Sequence, residues 1–173
     1  MKMNAIYWPE EFIPGLTDNF CSNEVIVTDL TAEEVWPFLA MPARWPEYYA
    51  NSANARFYDN AGPSLAQGVR FSFETFGFHV EAQVTECVPP VKGEATRLAW
   101  HGWSGEEGTA ERLDVLHAWL IEMLPGNRLR ILTQETQNGN PAKELAVAKP
   151  NPMINGHQEW LTGLITAAKS AKR

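Results

Sequence analysis

The chain is poor in cysteine, and its two cysteines, Cys21 and Cys87, are far apart and form no CxxC pair. Disulfide frameworks and thiolate metal sites need paired or closely spaced thiols, so the sequence predicts free thiols in a reducing compartment. The first residues lack a basic segment followed by an apolar run, which predicts no signal peptide. No stretch approaches the roughly 18 apolar residues that cross a bilayer, so we expect no membrane insertion. These absences predict a cytoplasmic protein.

Positive charge is also scarce. The formal net charge is −7, and lysine and arginine form no cluster except at the end of the last predicted helix. Proteins that bind nucleic acids or anionic membranes present basic patches to phosphate groups. We therefore expect neither kind of partner.

Motifs for metals and cofactors are absent from the sequence. There is no HExxH motif, no EF-hand loop and no cluster of histidines and cysteines. No glycine-rich loop leads from a strand into a helix, so nucleotide phosphates have no recognisable site. The sequence therefore predicts no metal and no cofactor.

Aromatic residues are abundant, with seven Trp and eight Phe in 173 residues. The hydrophobic fraction of 45% and the charged fraction of 20% are those of an ordinary globular protein, and the length suits one domain with a sizeable core. We predict a single domain over residues 1–173. Residues 1–20 have no hydrophobic period and contain turn signals, so they are predicted to form an irregular amino-terminal arm.

A long amphipathic helix is predicted over Asn151–Lys172. Asn151 suits the N-cap, and Pro152 suits the first helical position, which needs no N–H. Apolar or semi-polar residues recur at helical spacing along one face: Met153, His157, Trp160, Leu161, Leu164, Ile165 and Ala168. Gly156 and Gly163 each cost about 1 kcal/mol relative to Ala in a helix. We therefore expect another element to pack closely against them.

Most of the preceding chain alternates apolar and polar residues with the period of a β-strand. A capping-box pattern begins a short helix over Thr31–Met41, and a second short helix is predicted over Arg44–Ala50. Strands are predicted at Glu24–Thr28, Asn54–Asp59, Val69–Thr75, Phe78–Thr85, Ala95–Trp103, Glu111–Leu124 and Asn127–Gln137. This order predicts an α+β fold in which an antiparallel sheet curves around the last helix.

The last hairpin allows two registers around Pro125-Gly126-Asn127. One follows from a two-residue turn, and the other from a three-residue loop with Asn127 in the left-handed conformation. We favour the three-residue loop, because it places Glu122 opposite Arg130 as a pair of opposite charges and matches apolar pairs on the other face.

The favoured register also places His117 directly opposite Glu135. Both lie on the strand face that we predict to be concave, together with Met123, Ile121 and Trp119. A histidine beside a carboxylate in apolar surroundings can hold a proton near neutral pH or orient a hydrogen bond to a ligand. A partly buried pair of this kind is more often structural than catalytic, so the pattern indicates a candidate site and not a reaction.

A second histidine, His157, lies on the apolar stripe of the predicted long helix. A sheet that surrounds this helix would bring His157 towards the same interior. It is either an ordinary core histidine with satisfied hydrogen bonds or a contact to a ligand.

A series of short motifs occurs in order along nearly the whole chain. They are Tyr7-Trp8-Pro9, Asn23-Glu24, Val35-Trp36, Trp45-Pro46, Thr75-Phe76-Gly77, Arg97-Leu98-Ala99-Trp100, His117-Ala118-Trp119-Leu120, Glu135-Thr136-Gln137-x-Gly139 and His157-Gln158-x-Trp160-Leu161-x-x-Leu164. Together they resemble the SRPBCC superfamily, the START-like helix-grip group, and within it a bacterial branch similar to polyketide cyclases and dehydratases.

The resemblance implies a fold more firmly than a function. It implies a seven-stranded antiparallel sheet gripping the long helix, two short helices after the first strand, and a deep internal apolar cavity. Members of the superfamily bind lipids, steroids, hormones or polyketides, and only some catalyse cyclisation or dehydration. It therefore implies no single activity.

Three functions remain open from the sequence. The leading hypothesis is that the cavity binds a hydrophobic small molecule of lipid or polyketide type, with ligand contacts from Trp45, Tyr49, Phe73, Trp100, His117, Trp119, Glu135, His157 and Trp160. The second is an enzyme of the cyclase/dehydratase type, in which His117, made more basic by Glu135, removes a proton. The third is a protein-interaction module. The sequence leaves the oligomeric state open.

Overall fold

One antiparallel sheet organises the protein. The computed structural model describes residues 2–173, so Met1 of the predicted arm lies outside the described residues. The seven strands follow the spatial order β1-β7-β6-β5-β4-β3-β2. Their bounds are β1 Asn19–Thr28, β2 Ser52–Phe57, β3 Arg70–Thr75, β4 Phe78–Val88, β5 Thr96–Ser104, β6 Leu113–Leu124 and β7 Arg128–Asn138. The predicted α+β fold with a seven-stranded sheet is confirmed.

The first and last α-helices begin where the sequence places their caps. Helix α1 spans Ala32–Ala40, and its N-cap Thr31 forms the predicted capping box with Glu34. The second short helix, predicted over Arg44–Ala50, is a 3-10 helix that begins and ends earlier, over Pro42–Glu47. Helix α2 spans Asn140–Val147 and helix α3 spans Pro152–Ser170. The Asn151 side chain accepts hydrogen bonds from the first backbone amides of α3, as an N-cap should.

Helix α3 packs against one face of the sheet, which we call the inner face. Its apolar stripe, including Trp160, Leu161 and Leu164, joins inward-pointing strand residues such as Phe71 and Ile131 in one buried cluster. Burial of this stripe accounts for the stability of a helix that contains two glycines, because tertiary packing outweighs helix propensity.

The amino-terminal arm covers the opposite, outer face of the sheet. Ile6 packs with Leu120 and Leu132, and Trp8 lies against the same cluster. This contact explains why the strands are apolar on both faces, which a sheet with a solvent-exposed outer face would not be. The arm is shorter than predicted: Asn19 and Phe20 already pair with β7 and belong to β1.

The three-residue loop of the last hairpin is confirmed. Leu124 pairs with Arg128 across the loop, and Asn127 has the left-handed φ of 53°. His117 therefore lies opposite Glu135. One expectation for this face is wrong: Met123 is 42% exposed, because it lies at the hairpin tip, beyond the part of the inner face that α3 covers.

Both glycines of α3 mark close contacts. A Cβ atom on Gly163 would collide with the backbone carbonyl oxygen of Tyr48, and one on Gly156 would collide with the Phe76 ring. The absence of a side chain at these positions lets the helix approach its neighbours, as the sequence predicted.

We expect Gly163→Ala to destabilise the protein. The gain of about 1 kcal/mol in helix propensity is outweighed by overpacking against a backbone atom that cannot rotate away, which costs roughly 1–3 kcal/mol or more. Urea unfolding measures the change. Thr162→Ala, on the exposed side of the same turn, is the matched control and should change stability by less than about 0.5 kcal/mol. A Gly163→Ala protein more stable than the wild type would contradict the close contact.

Candidate functional site

Three polar side chains from three elements meet beneath α3. His117 comes from β6, Glu135 from the neighbouring position on β7, and His157 from α3. The Nδ1 atom of His117 lies 3.3 Å from Oε1 of Glu135, and Nε2 of His157 lies 4.0 Å from the same oxygen. The three residues are almost completely removed from solvent, with exposed fractions of 2%, 6% and 1%. We call these three residues the polar cluster.

A hydrogen-bond chain fixes the protonation of His117. Its Nε2 atom lies 2.7 Å from the hydroxyl oxygen of Thr133, and that hydroxyl donates to the carbonyl oxygen of Ala118 at 3.3 Å. Since the hydroxyl proton is used in this way, the Thr133 oxygen accepts from the Nε2–H group. The neutral ring therefore turns an unprotonated Nδ1 towards Glu135.

A second hydrogen-bond chain orients Glu135 through its other carboxyl oxygen, Oε2. The side-chain amide of Gln137 donates to Oε2 of Glu135, and the amide of Asn19 donates to Oε1 of Gln137 at 2.8 Å. Because Gln137 lies two residues after Glu135 on the same strand face, the alternation of β7 brings both side chains to the interior.

His157 has a weaker partner. Its Nδ1 atom lies 3.4 Å from Sγ of Cys21, a residue of β1 that pairs directly with Glu135. Burial raises the pKa of the Cys21 thiol, and the nearby Glu135 raises it further. Cys21 is therefore a neutral thiol rather than an activated nucleophile.

Burial disfavours every charged form in the polar cluster. It raises the pKa of Glu135 to about 8, although the hydrogen bond from Gln137 acts in the opposite direction. It lowers the pKa of His157 to about 4. It also lowers the pKa of His117 well below its usual value, with a further contribution from His157. At neutral pH the cluster thus holds a protonated carboxyl group and two neutral imidazoles.

This electrostatic state corrects the sequence-based view of the pair. We expected Glu135 to make His117 more basic. The distance of 3.3 Å between them would permit an ion pair, but desolvation penalises both ions in a site with so little solvent. The proton therefore resides on the carboxyl group.

Aromatic rings enclose the imidazoles. The His117 ring lies 4.8 Å from Trp100 and stacks on Trp119 with ring centroids 5.4 Å apart. On another side it stacks on His157, with centroids 4.5 Å apart and planes 22° apart. His117 is therefore held between rings and has little freedom to rotate.

A small cavity adjoins the polar cluster. Its volume is about 40 Å³, and its walls are mostly apolar. Six of the residues predicted to contact a ligand line it, namely Phe73, Trp100, His117, Glu135, His157 and Trp160. Their role in binding stays a prediction.

Trp45, Tyr49 and Trp119 do not line this cavity, contrary to expectation. Trp45 lies behind it, stacked on Trp100 with centroids 5.5 Å apart, and its indole N–H donates to the carbonyl oxygen of Leu39. Tyr49 stacks on Trp160 with centroids 4.7 Å apart. These rings fill the space that we expected to be a deep cavity, so the cavity is present but much smaller than expected.

Several residues of the site were missed from the sequence. The cavity is also lined by Thr75, Phe76, Phe78, Val80, Leu113, Val115, Gln137, Leu145 and Met153. The strand alternation could have predicted Gln137 as a residue of the site, because Gln137 lies on the same face of β7 as Glu135. The same alternation applies to Thr133, which precedes Glu135 by two residues on the same face of the strand.

Phe76 covers the outer end of the cavity. It lies in the tight turn between β3 and β4, and its ring meets that of His157 edge-on with centroids 6.0 Å apart. Its φ of 49° is in the left-handed region, which costs a residue with a side chain roughly 1–2 kcal/mol. The hydrogen bond from its backbone N–H to Oδ1 of Asn51, at 2.8 Å, holds this conformation.

Comparison with solved structures identifies the class of fold. Norcoclaurine synthase from Thalictrum flavum, in complex with a transition-state analogue, has a TM-score of 0.62 at 10% identity, covering 90% of this chain and 96% of that one. The di-domain ARO/CYC protein BexL from the BE-7585A biosynthetic pathway has a TM-score of 0.57 at 12% identity, covering 84% of this chain and 45% of that one. The chain therefore shares the fold of these proteins, the helix-grip fold that its motifs indicated.

A much closer likeness identifies the family. The crystal structure of hypothetical protein jhp0584 from Helicobacter pylori has a TM-score of 0.91 at 50% identity, and the match covers 97% of this chain and 98% of that one. The chain belongs to the same family as that protein. No protein-family model and no curated protein matches the chain. Among residues 2–173, no helix has the length and apolar character needed to cross a membrane.

We expect Glu135→Gln to remove part of the pH dependence of the free energy of unfolding. The folded wild type holds the carboxyl proton to about pH 8, whereas the unfolded chain releases it near 4.5. The stability that this proton contributes is complete below the lower value and is lost as the pH rises through the upper one. Glutamine keeps the shape and neutrality of the protonated acid but cannot ionise.

The measurement is urea unfolding of both proteins in EDTA from about pH 5 to about pH 9. The free energy of unfolding of the wild type, minus that of Glu135→Gln, should fall across this range. Contributions of the two histidines are shared by both proteins and largely cancel. A difference that stays constant across this range would mean that the folded protein does not retain the carboxyl proton above the pH at which the unfolded chain releases it.

Proposed function

We propose that the protein binds a hydrophobic small molecule, of lipid or polyketide type, between the inner face of the sheet and α3. The observation that supports this most directly is an apolar cavity whose inner end carries the polar cluster. Apolar walls with a few convergent polar groups are the usual composition of a small-molecule site.

The proposal requires the cavity to open. A volume of about 40 Å³ holds only a few water molecules, whereas pockets for drug-sized ligands are about 300–1,000 Å³. The turn that carries Phe76 is the part most suited to move, because its backbone is strained and the ring is only half-buried. Displacement of this ring would join the cavity to solvent and uncover His157.

The polar cluster favours a neutral polar group on the ligand. With the carboxyl proton on Glu135 and both imidazoles neutral, the cluster offers hydrogen-bond donors and acceptors without net charge. A carbonyl or hydroxyl group on a hydrophobic skeleton matches this arrangement. The fold neighbours add support by analogy only, since norcoclaurine synthase and BexL share the fold at low identity.

We also propose a cytoplasmic location. Cys21 and Cys87 are both free thiols, and secreted proteins usually pair their cysteines.

Acid–base catalysis of the cyclase/dehydratase type is a second candidate. The observation that favours it is the contact of 3.3 Å between Nδ1 of His117 and Oε1 of Glu135 at the end of the cavity. Because burial keeps the proton on Glu135 up to about pH 8, the carboxyl group is the better acid. Once Glu135 has given that proton to a substrate oxygen, Nδ1 of His117 is free to accept a proton from the substrate as the base.

Phe76→Ala should admit a hydrophobic probe. Removing the ring opens the outer end of the cavity, so we expect 1-aminoanthracene, a neutral fluorophore, to bind more rapidly and more tightly than to the wild type. Fluorescence titration and stopped-flow mixing measure both changes. Phe20→Ala removes a partly exposed ring from β1 and is the control. Equal probe binding by both variants would contradict access through the Phe76 turn.

His117→Ala distinguishes binding from catalysis. Native mass spectrometry of protein purified without added ligand, followed by denaturation, identifies any retained compound. If that compound is a passive ligand, the variant should bind it more weakly by about 1–3 kcal/mol, the value of a lost buried hydrogen bond. If it is a substrate, turnover should disappear while affinity changes little. Unchanged affinity with no turnover in either protein would contradict a role for His117.

A further inference from the structure

We propose that His117, Glu135 and His157 form a binding site for a divalent first-row transition metal, for which Zn²⁺ is the ion to test. One nitrogen of each imidazole and one carboxylate oxygen lie within 4.8 Å of one another. Two histidines and one carboxylate are a ligand set that proteins use for Zn²⁺ and for non-haem iron. The proposal does not depend on the hydrophobic ligand proposed above.

The distances approach those of a coordination sphere. In a tetrahedral zinc site with bonds of about 2.0–2.2 Å, neighbouring ligand atoms are roughly 3.3–3.6 Å apart. The separation of His117 Nδ1 from Glu135 Oε1 is 3.3 Å, so this pair already has that spacing. The separation of His157 Nε2 from the same oxygen is 4.0 Å, so only His157 has to move inward.

His157 must also turn. A metal lies in the plane of each imidazole that binds it, whereas the two rings now stack with planes 22° apart. His117 is fixed by Thr133 and by its aromatic neighbours. His157 faces the cavity, and its only hydrogen-bonding partner among the described residues is the Cys21 thiol. Rotation of His157 about its Cβ–Cγ bond is therefore the adjustment that metal binding requires.

Two of the three ligands already have outer partners that suit a metal site. The Nε2–H group of His117 donates to Thr133, which leaves Nδ1 free to bind a cation. Glu135 accepts from Gln137 through Oε2, which leaves Oε1 free. Such partners fix the orientation of metal ligands in known sites.

The contact between His117 and Glu135 requires a proton or a cation between the two facing atoms. Nδ1 of His117 and Oε1 of Glu135 are both hydrogen-bond acceptors when unprotonated, and they face each other at 3.3 Å in a buried site. Either a proton or a cation must lie between them. Three protein ligands would leave at least one coordination position of the metal open, and the adjoining cavity has room there for a water molecule or a ligand atom.

The experiment uses the full chain after EDTA treatment and dialysis. Isothermal titration with Zn²⁺ should show one ion per chain, and Co²⁺ should give the visible absorption of a four- or five-coordinate site. His157→Gln and Glu135→Gln should each weaken Zn²⁺ binding by more than about tenfold. His79→Gln is the matched control, because His79 lies beside Glu81 in an exposed pair, and it should bind as the wild type does.

Three results would overturn the proposal: no stoichiometric binding by the wild type, equal binding by His157→Gln, or a thiolate charge-transfer band with Co²⁺ that disappears in Cys21→Ser. If a variant fails to fold by circular dichroism, the wild-type Co²⁺ spectrum and Cys21→Ser still decide the ligand set. Probe binding by Phe76→Ala in EDTA tests the hydrophobic ligand separately, so the two proposals can fail independently.

Discussion

The close approach of α3 to the sheet is the constraint on which the site depends. Gly156 and Gly163 let the helix approach Phe76 and Tyr48 to within contact distance. This approach seats His157 4.0 Å from Glu135. A helix held one side chain further away would leave the three polar groups separated, so the two glycines of α3 serve the polar cluster as well as the packing.

Burial of the polar cluster costs free energy, and its hydrogen bonds hold the three side chains in one arrangement. Each of the three groups would be better solvated in water than in an aromatic core, and none can ionise there without a partner. Thr133 and Gln137 satisfy one atom each of His117 and Glu135. Nδ1 of His157 lies against the Cys21 thiol, whereas Nδ1 of His117 and Oε1 of Glu135 face each other and need a proton or a cation between them. Structural stability alone would be served as well by apolar residues of the same size.

The sequence could predict the local geometry of the site but not its electrostatics or its volume. The register of the last hairpin follows from Glu122 and Arg130, and it alone brings His117 opposite Glu135. The helical stripe indicates that His157 is buried, yet no pattern in the sequence gives the distance between His157 and β7. The metal-ligand set is hidden for the same reason, because its members come from three elements and have no motif spacing.

The size of the cavity could not be predicted, because it is the small difference between the space enclosed by the sheet and α3 and the volume of the side chains that occupy that space. The rings of Trp45, Trp119 and Trp160 come from three elements, and whether they line a cavity or fill it depends on shifts of the order of one ring thickness. Here Trp45 and Trp119 fill that space and Trp160 lines the small cavity that remains, with Trp45 and Trp160 at a centroid distance of 4.9 Å.

The filled interior limits what the helix-grip fold implies for this protein. Other proteins with the fold are named for chemistry on substrates, but an interior packed with indole rings admits a large ligand only if a covering element moves. Phe76 has a left-handed backbone conformation in the turn beside the cavity, and its ring lies against that of His157. One movement would therefore open the cavity and free the imidazole that has to turn for metal binding. Access and chemistry at this site are coupled through the same contact.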